Sequence, residues 1–552
     1  MNNGKNNRNG GSKVRRAASG NANANAANRR VFLNRNVAAA ANKRNASLNN
    51  AAAKNALANR NNNNRRRNNV VPNTANNNFD LGGRRILQIG FGGVGSSMPA
   101  LYKRHLKFAK GNVIVLDMNE TALKGAAAKW PSISFAKYKI TKQNYRSVLD
   151  SYLRPGDVLV DLAWFISTID LIKYCHEKGV LFVNTAIETW KEDDCAFMDK
   201  ACQPLYSYQV AVRALAKKWG SKGPTAIISH GANPGWVSHA AKIGIRDWAG
   251  HLVRQNKNNA AAARALALAR AGRFPEAAQA LKVQVVHIAE RDTQISKIPR
   301  KIGEFVNTWS PMGFIEEGLL PAELGWGTHE TMTRGVHKFK SGPKNEVWLD
   351  TLAINTLVKS FVPSGDIVGM VIPHEEANSI SHYLTVRRAG RAVYRPTVHY
   401  AYYPPNDAIA SMYEIQAEGY RDLAGHPERV MKDDIISGTD ELGIFMLSRD
   451  HGAWWTGSLL DIHTSRKLIP NQSATIVQVS SSVFGAILMA LRSPSRGPIF
   501  PEDLDPDAAM RLIKPYLGKF VSFPVDWKPK NVPEKYAKSK DWTFQKLLVS
   551  VP

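Results

Sequence analysis

The feature that most constrains this chain is the apolar run Ile86-Leu87-Gln88-Ile89, followed at once by Gly90-Phe91-Gly92-Gly93-Val94-Gly95. A second apolar run, Val113-Ile114-Val115-Leu116, ends in Asp117. A strand that breaks into G-x-G-x-x-G and opens a helix, with an acid at the tip of the next strand, is a unit in which each glycine has a task. Gly90 makes the tight turn, Gly92 lets the backbone approach a pyrophosphate on the helix N-terminus, and Gly95 permits close helix–sheet packing. Asp117 stands where a carboxylate accepts hydrogen bonds from ribose hydroxyls and repels a 2′-phosphate; Met118 and Asn119 bring no cation to reverse that preference. The pattern predicts a dinucleotide site that favours NAD over NADP.

The alternation continues to about residue 187. Strands over 86–89, 113–116, 158–162 and 181–184, a further one over 134–139, and helices over 96–108, 144–153 and 169–178 predict a doubly wound parallel sheet. Ligands of such sheets lie off the C-terminal strand ends, which here carry Gly90, Asp117, Asp161 with Leu162, and Thr185. A linking helix over 207–219 and a strand over 225–229 lead to the loop Gly231-Ala232-Asn233-Pro234-Gly235. The Ala-rich stretch 259–281 reads as a helical hairpin broken at Gly272 to Pro275. An α+β region follows to about residue 420, with strands over 283–289, 368–372 and 392–402. The capped apolar segment 471–491 predicts a helix that packs back onto the first domain or into a subunit interface. The fold class is therefore α/β: a Rossmann-like NAD-binding domain over 80–223, an α+β substrate-binding and catalytic domain over 224–470, and a C-terminal helix and tail over 471–552.

The net charge of +29 is unevenly spread. Residues 1–79 hold fifteen Lys and Arg and no Asp or Glu, leaving +14 for the rest of the chain. This Asn/Ala/Arg-rich tail has too few large apolar residues to offset the entropy of ordering it, so we expect it to be disordered. It reads as a solvated extension, as an arm that holds a polyanion by counterion release, or as a targeting segment. Three cysteines, Cys175, Cys195 and Cys202, form no C-x-x-C pair and no disulfide framework, which fits a reducing compartment. We expect no apolar run near the ~18 residues of a bilayer crossing, hence a soluble, cytoplasmic protein without membrane contact. Neither metal-ligand spacing nor a nucleophilic Ser elbow is present, so no metal is expected and hydrolase chemistry is disfavoured.

Several further runs carry a resemblance. They are Gly231 to Gly235, His287-Ile288-Ala289-Glu290-Arg291-Asp292-Thr293-Gln294, Val306-Asn307-Thr308-Trp309, Pro321-Ala322-Glu323-Leu324-Gly325-Trp326-Gly327-Thr328, Val393-Tyr394-Arg395-Pro396-Thr397, His399-Tyr400-Ala401-Tyr402 and Asp440-Glu441-Leu442-Gly443. In order and over roughly 84–543, the chain resembles the bacterial-type homospermidine synthases, within the saccharopine dehydrogenase-like superfamily. The resemblance implies that bound NAD takes a hydride from a diamine carbon, that a second diamine displaces ammonia from the imine, and that the same hydride returns. Putrescine or a related polyamine such as spermidine would be the substrate, NAD a retained prosthetic group, and the assembly a homodimer.

By the same resemblance Glu290 and Glu317 hold substrate ammonium groups and Trp309 packs against the cationic intermediate. Asn233 bonds the cofactor carboxamide or the reacting amine, and Asn233 with Pro234 borders the cofactor. His374, with an ordinary pKa near 6.5, suits proton transfer; Glu188 matches an acid of the family's Glu-Pro-Trp motif, with Thr189 in place of Pro; and Asp440 is a further substrate carboxylate, although its acid-Leu-Gly context also suits a turn. Acids at 304, 316 and 323 fall in the same stretch as Trp309. Trp236 replaces the family's Met, and Ser229 and His230 replace cysteines, changes that bear on pocket shape and diamine length. The alternatives are a carboxynorspermidine- or saccharopine-type dehydrogenase, which would need an Arg or Lys clamp for a carboxylated substrate, and a nucleic-acid-binding protein with a vestigial nucleotide fold.

Overall fold

The computed structural model describes residues 79–193, 205–220, 222–339, 342–419 and 425–549. The tail through residue 78, with its disorder and polyanion expectations, lies outside the described residues, as do Cys195 and Cys202; Cys175 is a buried free thiol.

Two large sheets organise the described chain. The first has seven strands, all parallel. They are β1 (Ile86–Ile89), β2 (Val113–Asp117), β3 (Ser134–Lys137), β4 (Val158–Asp161), β5 (Leu181–Asn184), β6 (Ala226–Ile227) and the short strand Pro498–Ile499. The chain runs outward from β1 through β2 to β3, then returns to β4 on the other side of β1 and continues outward through β5 and β6 to Pro498–Ile499. The order reverses between β1 and β4, and the carboxyl ends of strands at such a reversal are where doubly wound sheets bind their ligands. β1, β4 and β5 are buried throughout, as strands sandwiched between helical layers must be. The glycine turn leads into α1 (Met98–His105). This helix is shorter than the predicted 96–108 because Leu106–Lys107 turn extended and pair with Phe79–Asp80.

α2 (Trp236–Gln255) crosses to the second, ten-stranded mixed sheet. Its centre is β7 (Val283–Asp292), flanked by parallel β8 (Thr397–Tyr403) and antiparallel β9 (Thr439–Ser448), with β10 (Gly452–Asp461) beyond β9. The predicted strand 392–402 is in fact two, Arg391–Tyr394 and Thr397–Tyr403, interrupted at Arg395-Pro396 where proline cannot donate to a ladder. The sheet also extends past the expected limit near 420, since β9, β10 and Lys519–Val525 pair in succession. Asp440 lies inside β9 opposite Asp292 and not in a turn.

Three helices converge on the carboxyl end of β7: α3 (Pro311–Leu319), α4 (Glu375–Tyr383) and α5 (Ala474–Arg492). α5 corrects one sequence expectation, because its 19 residues are long and apolar enough to cross a bilayer by length and composition. Its serines at 480–482 broke up the apolar run in the sequence. Here Val477, Phe484, Ile487 and Leu491 share a core with Ile86, Val113 and Val115 of the first sheet, which makes it a mostly buried core helix.

Candidate active site

The glycine turn lies at the reversal point of the first sheet. Gly90 has φ +96°, and a Cβ there would stand 2.5 Å from the Leu162 carbonyl oxygen, so the β1 and β4 loops touch backbone to backbone. A Cβ on Gly95 would meet the Gly90 oxygen at 2.2 Å, whereas one on Gly92 would find nothing within 4 Å. The two outer glycines thus close the turn and the middle one leaves open space beside it, as a pyrophosphate requires. Gln88, buried under the turn, donates from Nε2 to the carbonyls of Gly90 at 2.7 Å and Gly95 at 3.0 Å. Asp117 ends β2 and accepts the Phe91 N–H at 2.6 Å and the Asn119 N–H at 2.7 Å, one on each oxygen. Gly93 and Val94 continue the turn, and the Ile476 side chain of α5 comes within 3.0 Å of a Cβ placed on Gly93. Asp161, buried at the end of β4, has its pKa raised to about 7 by burial, offset in part by the Ala163 N–H. Thr185 follows β5, its methyl 3.6 Å from a Cβ placed on Gly231. The Pro234 carbonyl, after a cis Asn233–Pro234 bond, accepts the Gly231 N–H at 2.7 Å.

The second sheet supplies the other wall. Val286 and Ile288 of β7 enter an apolar core, and two residues further on, by the period of a strand, Glu290 and Asp292 reach its polar end. Register sets Tyr402 beside Glu290 on one side and Asp440 beside Asp292 on the other. The Tyr400 hydroxyl donates to Glu290, and the Asn233 amide approaches the same oxygen at 3.4 Å. Asp292 accepts from Thr308 at 2.6 Å and from the backbone N–H of Gln294 at 2.8 Å, while Thr475 of α5 donates to Asp440 at 2.6 Å. Burial raises the Glu290 pKa to about 8, with the Asp292 charge adding to the effect and the Tyr400 bond opposing it. Asp440 is driven well up by burial and by the charges of Glu290 and Asp292. Among the described residues, Glu290, Asp292 and Asp440 form no ion pair with Lys or Arg.

Aromatic rings stand over these acids. Tyr400 and Tyr402 stack with centroids 5.2 Å apart, Trp309 donates its indole N–H to Tyr402 at 3.0 Å, and Phe314 of α3 packs 6.1 Å from Trp309. His374, at the N-cap of α4, lies between Glu317 at 3.2 Å and Glu376 at 3.1 Å, its ring 4.5 Å from Tyr400. Burial disfavours its charge, but Glu376 and Glu317 outweigh burial and hold the pKa well above the ordinary value. The two carboxylates therefore favour the protonated ring, where the sequence expectation was an unperturbed histidine. Glu188 occupies the junction of the two walls, with its pKa raised to about 8 by burial and by the charges of Asp161, Glu316 and Glu375, against a bond from the Phe165 N–H.

Of the acids near Trp309 in sequence, Glu304 is paired with Arg429 at 2.8 Å and Glu323 accepts the Leu205 N–H at 2.8 Å, so neither joins the cluster. Residues the sequence reading passed over include Gln88, Asp292, Tyr400, Tyr402 and Glu375. Glu375 ties the walls together, accepting the Ile187 N–H at 2.6 Å and the Ser229 hydroxyl at 2.5 Å. The alternating tyrosines 400 and 402, in step with Glu290 and Asp292, were the one signal that could have found the aromatic wall.

The sequence matches two family models, described as the saccharopine dehydrogenase NADP binding domain, over residues 86–227, and the saccharopine dehydrogenase C-terminal domain, over 231–522. It is 35% identical over 484 residues to the homospermidine synthase of Mesorhizobium japonicum, covering 84% of this chain and 96% of that protein. The chain belongs to the homospermidine synthase family. A second homospermidine synthase, from Blastochloris viridis, is 35% identical over 479 residues, covering 84% of this chain and 97% of its own length. The crystal structure of a Legionella pneumophila homospermidine synthase in complex with NAD superposes with a TM-score of 0.75 at 33% identity, covering 86% of this chain and all of that one. The chain is thus an enzyme of the homospermidine synthase type, with a Rossmann-like first domain.

Proposed function

We propose that this chain joins two putrescine-type diamines into homospermidine with release of ammonia, using NAD(H) and no net redox change. What carries the reading is the set of buried carboxyls at 290, 292 and 440, without a Lys or Arg partner among the described residues and roofed by Trp309 and two tyrosines. A desolvated carboxylate is costly unless a cation joins it, and an alkyl diamine brings one ammonium at each end of an apolar chain. The open glycine turn fits a dinucleotide, and Asp117 favours the one without a 2′-phosphate. NAD supplies a reversible hydride acceptor.

The remaining work falls to this chain's residues. Glu290, with Asp440 beside it, holds one substrate ammonium, and Glu317 holds the other. Trp309 covers the positive charge that develops on the reacting amine. Asn233 orients the amine next to Glu290. His374, holding a proton on the nitrogen that faces Glu317, gives it to the departing amine as ammonia leaves and recovers it afterwards. Glu188, at the junction with the cofactor wall, relays a proton at its carboxyl near neutral pH. Homodimerisation and a cytoplasmic location, both implied by the family, complete the proposal; light scattering on the purified chain tests the first.

A carboxylated substrate of the saccharopine type would want an Arg or Lys clamp, and the acid cluster offers none among the described residues. Isotopically labelled putrescine with NAD, followed by mass spectrometry, separates the two readings. Homospermidine and ammonia without lasting NADH are expected, and NADH accumulating in step with product would overturn the synthase reading.

A further inference from the structure

The loop between β4 and the helix Thr168–Lys178 does more than border the cofactor crevice. Phe165 holds φ +59°, a left-handed conformation that is costly for a residue with a bulky side chain. Its N–H bonds the Glu188 carboxyl. Trp164, one residue earlier, is 43% exposed. Strain that persists at a loop tip is the kind fixed by surrounding function, and a half-exposed tryptophan is a large apolar face left in water.

That indole does not point into empty solvent. Its Cη2 and Cζ2 lie 2.8 Å from where a Cβ on Gly313 would stand, and Cζ3 of Trp309 lies 2.9 Å from the same point. One ring comes from the first domain, the other from the second, and they converge over a helical position in α3 that has no side chain. Gly313 has no positive φ, so what excludes a Cβ there is the space the two indoles take. Three and four residues on along α3, on the same helical face, come Glu316 and Glu317. Glu316 acts electrostatically on Glu188, and Glu317 bonds His374. An aromatic pair therefore stands on the side of α3 that carries the acids, with Trp164 at its solvent edge.

We propose that Trp164 is a second substrate-binding tryptophan, which with Trp309 forms a two-sided aromatic passage for the alkylammonium chain at the solvent end of the site. This rests on the diamine reading above and adds a residue to it. Ammonium and its adjoining methylenes are attracted to indole faces, and a ring supplied by the NAD-binding domain makes amine binding depend on how that domain meets the second sheet.

Three variants test it: Trp164→Ala, Trp164→Leu and Trp164→Phe, each assayed for homospermidine from putrescine, for NAD affinity and for melting temperature. Ala and Leu are expected to raise the diamine KM about five- to tenfold, the scale of a half-exposed cation–π contact, with NAD affinity and melting temperature held. Phe, which keeps an aromatic face, is expected to stay within about threefold of wild type on the same scale. Leu preserves apolar bulk, so a wild-type KM for Trp164→Leu overturns the proposal even if Trp164→Ala fails to fold. Loss of NAD affinity in step with the KM change also overturns it, by making the indole a cofactor contact. If the wild-type chain makes no homospermidine, the synthase reading itself fails; if it does and the variants match it, only the role of Trp164 falls.

Discussion

Glu290→Gln separates what this acid does for turnover from what it costs the fold. Burial pushes this carboxyl up to about 8 in the folded chain from an ordinary value near 4.5. The folded pKa is the higher one, so the stability tied to this proton is fully present below pH 4.5 and is lost as pH rises through about 8. At about 1.4 kcal/mol per pKa unit, the loss is on the order of a few kcal/mol. Gln keeps the size of the side chain and still accepts the Tyr400 hydroxyl, but it carries no charge. Its melting temperature is therefore expected to match the wild type at about pH 4.5 and below, and to exceed it by a growing margin as pH rises from there to about 8. Turnover moves the other way. A charge-assisted hydrogen bond to an ammonium is worth about 1.5–3 kcal/mol, and each ~1.4 kcal/mol is tenfold, which predicts a fall in kcat/KM of roughly 10- to 150-fold. Ammonia release and homospermidine formation across about pH 6 to pH 10, run beside calorimetry, read both effects. In the wild type the diamine KM is expected to drop as pH rises through about 8 and the carboxylate forms; the variant lacks that limb. A variant with unchanged kcat/KM and a lowered melting temperature would refute the reasoning and make Glu290 a structural acid.

Trp309→Ala is expected to cost about 2 kcal/mol of transition-state stabilisation, roughly 30-fold in kcat/KM, with a melting shift well short of the ~3–5 kcal/mol lost when a fully buried tryptophan is removed; a large melting shift with wild-type specific activity would place the ring in the core only. Asp117→Ala is expected to weaken NAD binding and relax discrimination against NADP while leaving the diamine KM at saturating NAD unchanged, measured by calorimetric titration of both cofactors; wild-type NAD affinity would remove Asp117 from the cofactor site. A chain beginning near Asp80 is expected to keep full homospermidine synthesis while losing salt-sensitive retention on heparin, since each neutralised phosphate on duplex DNA contributes a log–log slope of roughly −0.9; lost synthesis in a truncation that still melts cooperatively would give the tail a part in the site or the assembly.

The sequence by itself determined the cofactor half of this protein. A strand, a glycine turn, a helix and an acid at the next strand tip are contiguous within 86–117, and local sterics fix what such a run can do: Gly90 and Gly95 are positions where a Cβ would strike backbone. The proposed substrate half was legible only as a list. Glu290, Trp309, His374 and Asp440 are scattered over 150 residues, and nothing local places their side chains together. Their meeting depends on register across β7, β8 and β9, which puts Asp440 opposite Asp292 and Tyr402 beside Glu290. Only burial in that arrangement moves Glu290 toward neutrality and sets His374 between two carboxylates. Asp292 and Glu375 escaped notice because an acid in an apolar strand or at a helix start reads as ordinary until its partners, Thr308 in one case and Ser229 with the Ile187 N–H in the other, arrive from distant elements. Trp164 gave no local signal either, because its meaning lies in Gly313, and only the packing of two domains brings an indole from each to the same point over α3.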